Sequence, residues 1–250
     1  MQSRTSSQPL QSPHNELIRR LRRLGRRREP GEVLLEGPMV IREAVACGVE
    51  LEVLALRDGV AFSAPADRVV TLAERAFSSV SQTISPQGVL AIGRSHEASM
   101  ADAMAAARAV RWPLVVLDGV QDPGNVGAVC RTAAAAGARA LAALEGSADP
   151  FSPKAVRASA GTVFRLVVSR GRWSELSAWG GFGATARGGK SYLDADLAHG
   201  PLLAFGSEAH GLQRKDLELV TIPMTPGVES LNVAAAAAIL LFDIRRRLEA

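Results

Sequence analysis

From Pro113 onward, short apolar runs alternate with segments of helical character, and this alternation constrains the fold more than any other feature of the chain. The runs at 114–117, 139–144, 162–168, 182–185, 201–205 and 219–223 read as strands. The segments 126–136, 153–159, 173–179, 213–218 and 229–248 read as helices. The strands are apolar at successive residues rather than alternate ones, so they belong in a mostly parallel sheet covered by helices on both faces, an α/β architecture. In such sheets ligands gather at the turns that follow the carboxyl ends of the strands.

Three of those turns carry unusual chemistry. The first runs from Asp118 to Gly137, where Asp122-Pro123-Gly124 is a turn signal and Asn125 is placed to cap the following helix. Arg131 sits in the second turn of that helix, and helical side chains lean toward the helix N-terminus, so its guanidinium can face back toward Asn125. The second is Phe205-Gly206-Ser207-Glu208 through Gly211, where Gly206 permits close approach of a ligand to the backbone and Glu208 adds a carboxylate. The third runs from Ile222-Pro223-Met224 to Glu229-Ser230-Leu231-Asn232, a loop ending in a helix start rich in hydroxyl and amide groups.

The N-terminal half reads as a separate small α/β unit. Residues 1–13 are rich in Ser, Gln and Pro and are expected to be a flexible tail. Leu17, Ile18, Leu21 and Leu24 mark one face of a helix, with Gly25 as its stop. The other face is arginine, at Arg19, Arg20, Arg22, Arg23, Arg26, Arg27 and Arg28, which is either a phosphate-binding footprint or a solvated charged face. Strands at 33–35, 49–56, 68–72 and 89–92 and helices near 38–46 and 73–80 complete a domain at 14–95. Ser99 and Asp102 form a capping-box pattern, making 96–112 a helical linker to the domain at 113–250.

Composition removes several classes. Two cysteines and four scattered histidines offer neither a disulfide framework nor metal-ligand spacing, so a reduced, cytoplasmic protein without a metal is expected. No apolar stretch is long enough to span a bilayer, and the polar N-terminus is no signal peptide. A net charge of +4 points to a polyanionic partner. The segment from Ala184 to Ser191 fits a relaxed phosphate-loop pattern, which would imply a nucleotide hydrolase if it joined a strand to a helix.

Taken in order, Asn-x-Gly-Ala-x-x-Arg at 125–131, Gly-x-Glu-x-x-Gly at 206–211, and Ile-Pro-Met at 222–224 followed by Ser-Leu-Asn-Val at 230–233 resemble the three motifs of the SpoU (TrmH) family of RNA ribose 2′-O-methyltransferases, in the SPOUT superfamily. Leu34-Leu35-Glu36-Gly37, followed by Glu43-Ala44, is similar to the signature of the L30e-like RNA-binding domain that many members carry. Ala235 departs from the family by replacing a serine of the third motif, and Ala209-His210 lies where members vary.

The resemblance implies a C-terminal trefoil knot, a homodimer formed through the knot and the C-terminal helix, and S-adenosylmethionine as cofactor. It implies methyl transfer to a ribose 2′-hydroxyl of RNA, with structured ribosomal RNA favoured. The alternatives are a tRNA substrate or an inactive RNA-binding assembly factor on the same scaffold. Arg131, Asn125, Glu208, Ser230 and Asn232 match catalytic positions, while Gly206, Ile222, Leu231 and Thr185 match cofactor contacts. Arg187 or Lys190 would touch RNA. Arg131 stands either as a base of strongly perturbed pKa or as a clamp on the adjacent phosphate, since a guanidinium is ordinarily always protonated.

Overall fold

A computed structural model describes residues 4–5, 8–207, 210–212, 214 and 216–249. In chain order the elements are β1 (Arg4–Thr5), α1 (Glu16–Arg26), β2 (Glu32–Glu36), α2 (Pro38–Ala46), β3 (Leu51–Arg57), β4 (Arg68–Leu72), α3 (Glu74–Ser78), β5 (Val89–Arg94) and α4 (Met100–Ala109). They continue with β6 (Leu114–Asp118), α5 (Pro123–Ala136), β7 (Ala140–Leu144), α6 (Pro153–Ala158), β8 (Val167–Gly171), β9 (Phe182–Ala184), β10 (Lys190–Ser191), β11 (Leu202–Gly206), β12 (Glu218–Thr221) and α7 (Val233–Leu248).

The chain divides into two compact units, one comprising residues up to His96 together with Phe151–Phe164, the other Glu97–Pro150 and Arg165–Ala250. In the first, a five-stranded mixed sheet has the order β1-β4-β3-β5-β2, with β5 antiparallel to both β2 and β3. Leu17, Ile18, Leu21 and Leu24 recur at helical spacing and all four are buried, which seats α1 on Leu34, Val53, Val70, Leu90 and Ile92 of that sheet. Asn15 caps the helix by accepting the Leu17 N–H at 3.0 Å.

Two expectations change here. The helix continues through Gly25 to Arg26, with the tip of the Gln82 side chain lying against Gly25. The stretch read as a tail is partly structured, since Leu10 bridges to Leu72, donates to the Thr71 carbonyl at 2.8 Å and packs on the core.

The return of 151–164 to the first unit, rather than to the domain expected at 113–250, is also a change. Arg28 lies over the Phe151 ring at 4.9 Å, Phe151 stacks with Phe164 at 5.8 Å, and Gly161 at φ +84° sits against Val40 and Glu43 where a Cβ would be crowded. The tight turn at Gly161 also explains why the strand expected at 162–168 begins only at Val167, after a short 3₁₀ turn.

The second unit holds a seven-stranded sheet in the order β10-β12-β9-β11-β6-β7-β8, in which every pairing is parallel. Leu114, Val116, Ala140, Ala142, Leu202 and Ala204 face one layer with Met100, Ala103 and Ala107 of α4. The alternate residues Val115, Leu117, Leu141, Ala143, Leu203 and Phe205 are buried as well, so both faces are covered. The capping box at Ser99 and Asp102 is formed, but α4 is a layer of this unit rather than a linker. No helix forms among the described residues of 213–218, where the chain turns straight into β12.

Candidate active site

The direction of chain travel reverses between β6 and β11, which lie side by side with Asp118 opposite Gly206, and this is the kind of switch point where parallel sheets bind ligands. A pocket of about 600 Å³ opens at the carboxyl ends of β9, β11 and β12. Its walls are Ala184–Ala186, Phe205–Ser207, Val220, Ile222 and Met224, at strand ends or the turns beyond them, together with α7 from Val233 to Leu240. The volume falls within the range of small-molecule sites, roughly 300–1,000 Å³.

Thr185, Gly206, Ile222, Leu231 and Ser230, singled out from sequence, all line this pocket. The apolar flanks come from Ile222, Leu231, Leu212 and Leu240, and polar groups from Thr185, Ser207, Ser230 and the main chain. That set suits a flat heterocycle with a polyhydroxyl appendage.

Gly206 has a structural part as well as its place in the pocket wall. A Cβ at this position would collide with the backbone of Gly211 and Leu212, so the glycine is required for the chain to fold back on itself. Ser207 and Gly211 exchange backbone hydrogen bonds at 3.1 and 2.9 Å, Gly211 takes φ +66°, and the Ser207 hydroxyl accepts the His210 N–H at 3.0 Å. Glu208 lies outside the described residues.

The helix that follows β6 is capped by Asp122, which accepts the Gly124 N–H at 2.9 Å, with Pro123 in the first turn. Asn125 is therefore inside the helix rather than its cap, and its side chain is turned to another use. Asn232 caps α7, accepting from Ala234 N–H at 2.9 Å, and its amide Nδ2 donates to Asn125 Oδ1 at 3.0 Å. One side chain thus joins the N-termini of α5 and α7, one residue from the pocket wall at Leu231. Both N-termini carry positive partial charge, which favours an anion or developing oxyanion nearby.

Arg131 projects from α5, exposed, and its side chain makes no hydrogen bond or ion pair among the described residues. Cys130 beside it is buried, and burial pushes its thiol up to about 12, so it cannot serve as a thiolate nucleophile. Sequence reading missed Arg214, which lines the pocket with its guanidinium over Trp173 at 5.3 Å. Its bonds to Asp216 and to the Leu176 carbonyl at 2.9 Å hold it as part of the wall. The bond to Asp216 raises the Arg214 guanidinium further and holds the Asp216 carboxyl below its ordinary range.

The phosphate-loop reading of 184–191 fails on context: Lys190 and Ser191 form β10, no α-helix lies between β10 and β11, and Lys190 pairs with Glu218 at 4.0 Å. The arginine face of α1 is also only partly available. Arg20 forks onto Glu52 at 2.5 Å and Glu32 at 2.8 Å, and Arg28 bonds the Glu32 carbonyl and the Ser95 hydroxyl. Arg22 touches Ser79 at 3.0 Å and Arg23 pairs with Glu29 at 3.3 Å, whereas Arg19, Arg26 and Arg27 are exposed. Among the described residues no group of three or more His, Cys, Asp or Glu side chains is placed to hold a metal, and no helix is long and apolar enough to cross a membrane.

Residues 113–242 match the family model described as the SpoU rRNA Methylase family, and residues 15–91 match an MRM3-like substrate binding domain. The chain is 32% identical over 254 residues to the 23S rRNA (guanosine(2553)-2′-O)-methyltransferase RlmP of Bacillus subtilis, covering 94% of this chain and 98% of that one. Among solved structures it resembles the SpoU methyltransferase AviRb of Streptomyces viridochromogenes in complex with AdoMet, with a TM-score of 0.81, 25% identity and coverage of 95% and 99%. An RNA methyltransferase of the TrmH family from Porphyromonas gingivalis aligns with a TM-score of 0.74 and 32% identity, over 92% of this chain and 97% of that one. With matches running through both of its units, the chain belongs to the SpoU rRNA methylase family.

Proposed function

We propose that this protein transfers a methyl group from S-adenosylmethionine to a ribose 2′-hydroxyl of ribosomal RNA. The observation that carries the reading is the convergence of the pocket at Thr185, Gly206, Ile222 and Leu231 with the Asn125–Asn232 tie beside it. The AdoMet complex of AviRb and the ribosomal RNA named for RlmP supply the cofactor and substrate class.

The cofactor, when bound, would supply a sulfonium methyl: the ribose oxygen would take it in line as the methyl–sulfur bond breaks to leave a neutral thioether, and the hydroxyl proton would pass to water. The apolar side chains of Ile222 and Leu231 hold the adenosine, and Thr185 and Ser230 offer hydroxyls at the rim. Asn125, fixed by Asn232, faces the developing alkoxide with an amide and two helix N-termini behind it. Arg131 is the RNA clamp: an exposed guanidinium with no partner among the described residues grips the phosphate next to the target ribose and so orients the 2′-hydroxyl. Glu208 is assigned to steadying this arginine.

The same reading takes the first unit as an L30e-like RNA-binding domain, supported by the match at 15–91. It takes the C-terminal segment as a trefoil knot, for which the insertion of β11 between β6 and β9 is the supporting feature. Two copies join through α7, where Ile239 and Phe242 stay 38% and 46% exposed at adjacent positions of one helical face. The place of work is the cytoplasm, consistent with two free cysteines.

The test is transfer of labelled methyl from S-adenosylmethionine to 23S rRNA and, separately, to tRNA, followed by digestion to nucleosides. Label in a 2′-O-methyl nucleoside from 23S rRNA, lost in Arg131→Ala, is the expected result. Label confined to tRNA, or none in either pool while cofactor still binds, refutes the reading.

A further inference from the structure

We propose that the loop Ser81–Gln87 of the first unit reads an unpaired nucleotide, with Ile84 packed against its base while the arginine stripe of α1 holds the neighbouring phosphates. This rests on the RNA-methylating function proposed above, and it specifies which part of the RNA the face takes.

On α1 the arginines 19, 22, 23 and 26 fall within an arc of about 100° opposite the buried leucines and isoleucine, and they span about 10 Å along the axis. One carboxylate, Glu29, pairs with the stripe among the described residues, at Arg23. Such a row of cations calls for a polyanion.

The loop begins against this stripe. Arg22 donates to the Ser79 hydroxyl, and the Gln82 side chain lies on Gly25 of the same helix. Its other end returns to the turn after β2, where Gly37 donates to the Val89 carbonyl at 3.0 Å and Gln87 lies 3.2 Å from where a Gly37 Cβ would stand. In between, Glu36, only 7% exposed, pins the loop: it accepts from the Ser81 hydroxyl, from the Gln82 N–H at 3.0 Å and from the Thr83 hydroxyl at 2.9 Å. Three donors on one buried carboxylate fix the backbone on both sides of the loop's start.

The residue this scaffold presents is Ile84, and it is wholly exposed, at 104%. Met39, at the same end of the sheet, is 68% exposed. A single exposed isoleucine on a loose loop needs no explanation. A stiff β-branched side chain held out by a built anchor, next to a row of cations, matches the two chemistries of single-stranded RNA: an apolar base face flanked by phosphates. A paired stem offers the phosphates but keeps its base faces stacked inside. A protein partner would cover the isoleucine and leave the arginines to be neutralised.

The test uses the whole protein and 23S rRNA transcribed without modification. Ile84→Ser should weaken binding about tenfold with the salt dependence unchanged, and Ile84→Leu should restore it. The Arg19→Ser, Arg26→Ser pair should instead flatten the dependence of log Kd on log salt by about 1.4. In methyl transfer Ile84→Ser should raise KM for RNA and leave kcat at saturating RNA unchanged. A photoreactive benzoylphenylalanine in place of Ile84 should crosslink to an unpaired nucleotide.

Binding by Ile84→Ser within twofold of the parent overturns the proposal, as does a crosslink confined to paired segments or to a second protein chain. If the parent protein neither binds nor methylates 23S rRNA, the functional reading itself falls and this one with it. If the parent methylates normally and only the Ile84 effects are missing, the loop assignment alone is wrong.

Discussion

Arg20 on α1 and Arg131 on α5 are the same side chain in the same kind of element, and the two units employ them in opposite ways. In the first unit the charge is spent internally, in a fork from Arg20 to Glu32 and Glu52 that ties α1 to two strands. In the second, Arg131 has no partner among the described residues, on the helix whose N-terminus Asn125 and Asn232 join to that of α7. Around this fork the first unit satisfies its polar groups internally, while Arg19, Arg23 and Arg26 on the outer face of α1 stay exposed. The second leaves polar capacity open where a substrate would complete it.

The contrast can be broken most directly at Arg131. Arg131→Ala should lower kcat about a thousandfold while leaving cofactor affinity and thermal stability near the parent's, because the side chain is exposed and bonds to nothing described. Arg131→Lys should recover part of the rate if the residue is a clamp. A variant that unfolded, or one that kept full activity, would place Arg131 with Arg20 as a structural charge.

Glu36→Ala should show the reverse pattern. Removing the buried acceptor strands the Ser81 and Thr83 hydroxyls and the Gln82 N–H, and urea unfolding should report a loss of about 3 kcal/mol. The rate at saturating RNA should stay close to normal.

Asn232→Ala lies between these extremes. It removes a helix cap worth about 1 kcal/mol and the tie to Asn125 together, so stability and methyl transfer should both fall. Asn125→Ala should cost activity with a smaller change in stability, since α5 keeps its Asp122 cap.

The smallest effect concerns the internal fork. The hydrogen bond from Arg20 holds the Glu52 carboxyl below its ordinary value of 4.5. The stability this contributes is present above that value and is lost as pH falls through the lower, folded-state value. Unfolding measured from pH 6 down to pH 3 should show a decline that Arg20→Met reduces, by a few tenths of a kcal/mol because both groups are partly solvated.

The parallel sheet and its two helical layers were legible because apolar runs with helical spacers have few other solutions. The cofactor wall was legible because its residues sit directly at strand ends. Three features were hidden, each for a local reason. Asn125 looks like a cap until the Asp122-Pro123 pair takes that role one turn earlier. Seven arginines look like one footprint until Glu32 and Glu52, distant in sequence, claim Arg20. Glu36 and Arg214 are charged residues whose burial depends entirely on partners brought in by the fold, so no pattern around them in the sequence announces it.

The placement of Phe151–Phe164 in the first unit has a consequence for how the chain is made. During synthesis the segments through β5 emerge well before Phe151, and at roughly 5–20 residues per second the delay is on the order of several seconds. Throughout that interval the nascent first unit lacks the piece that covers Arg28, Val40 and Glu43. Its maturation is therefore tied to translation of the second unit's opening strands, and neither unit is finished until the ribosome has passed Phe164.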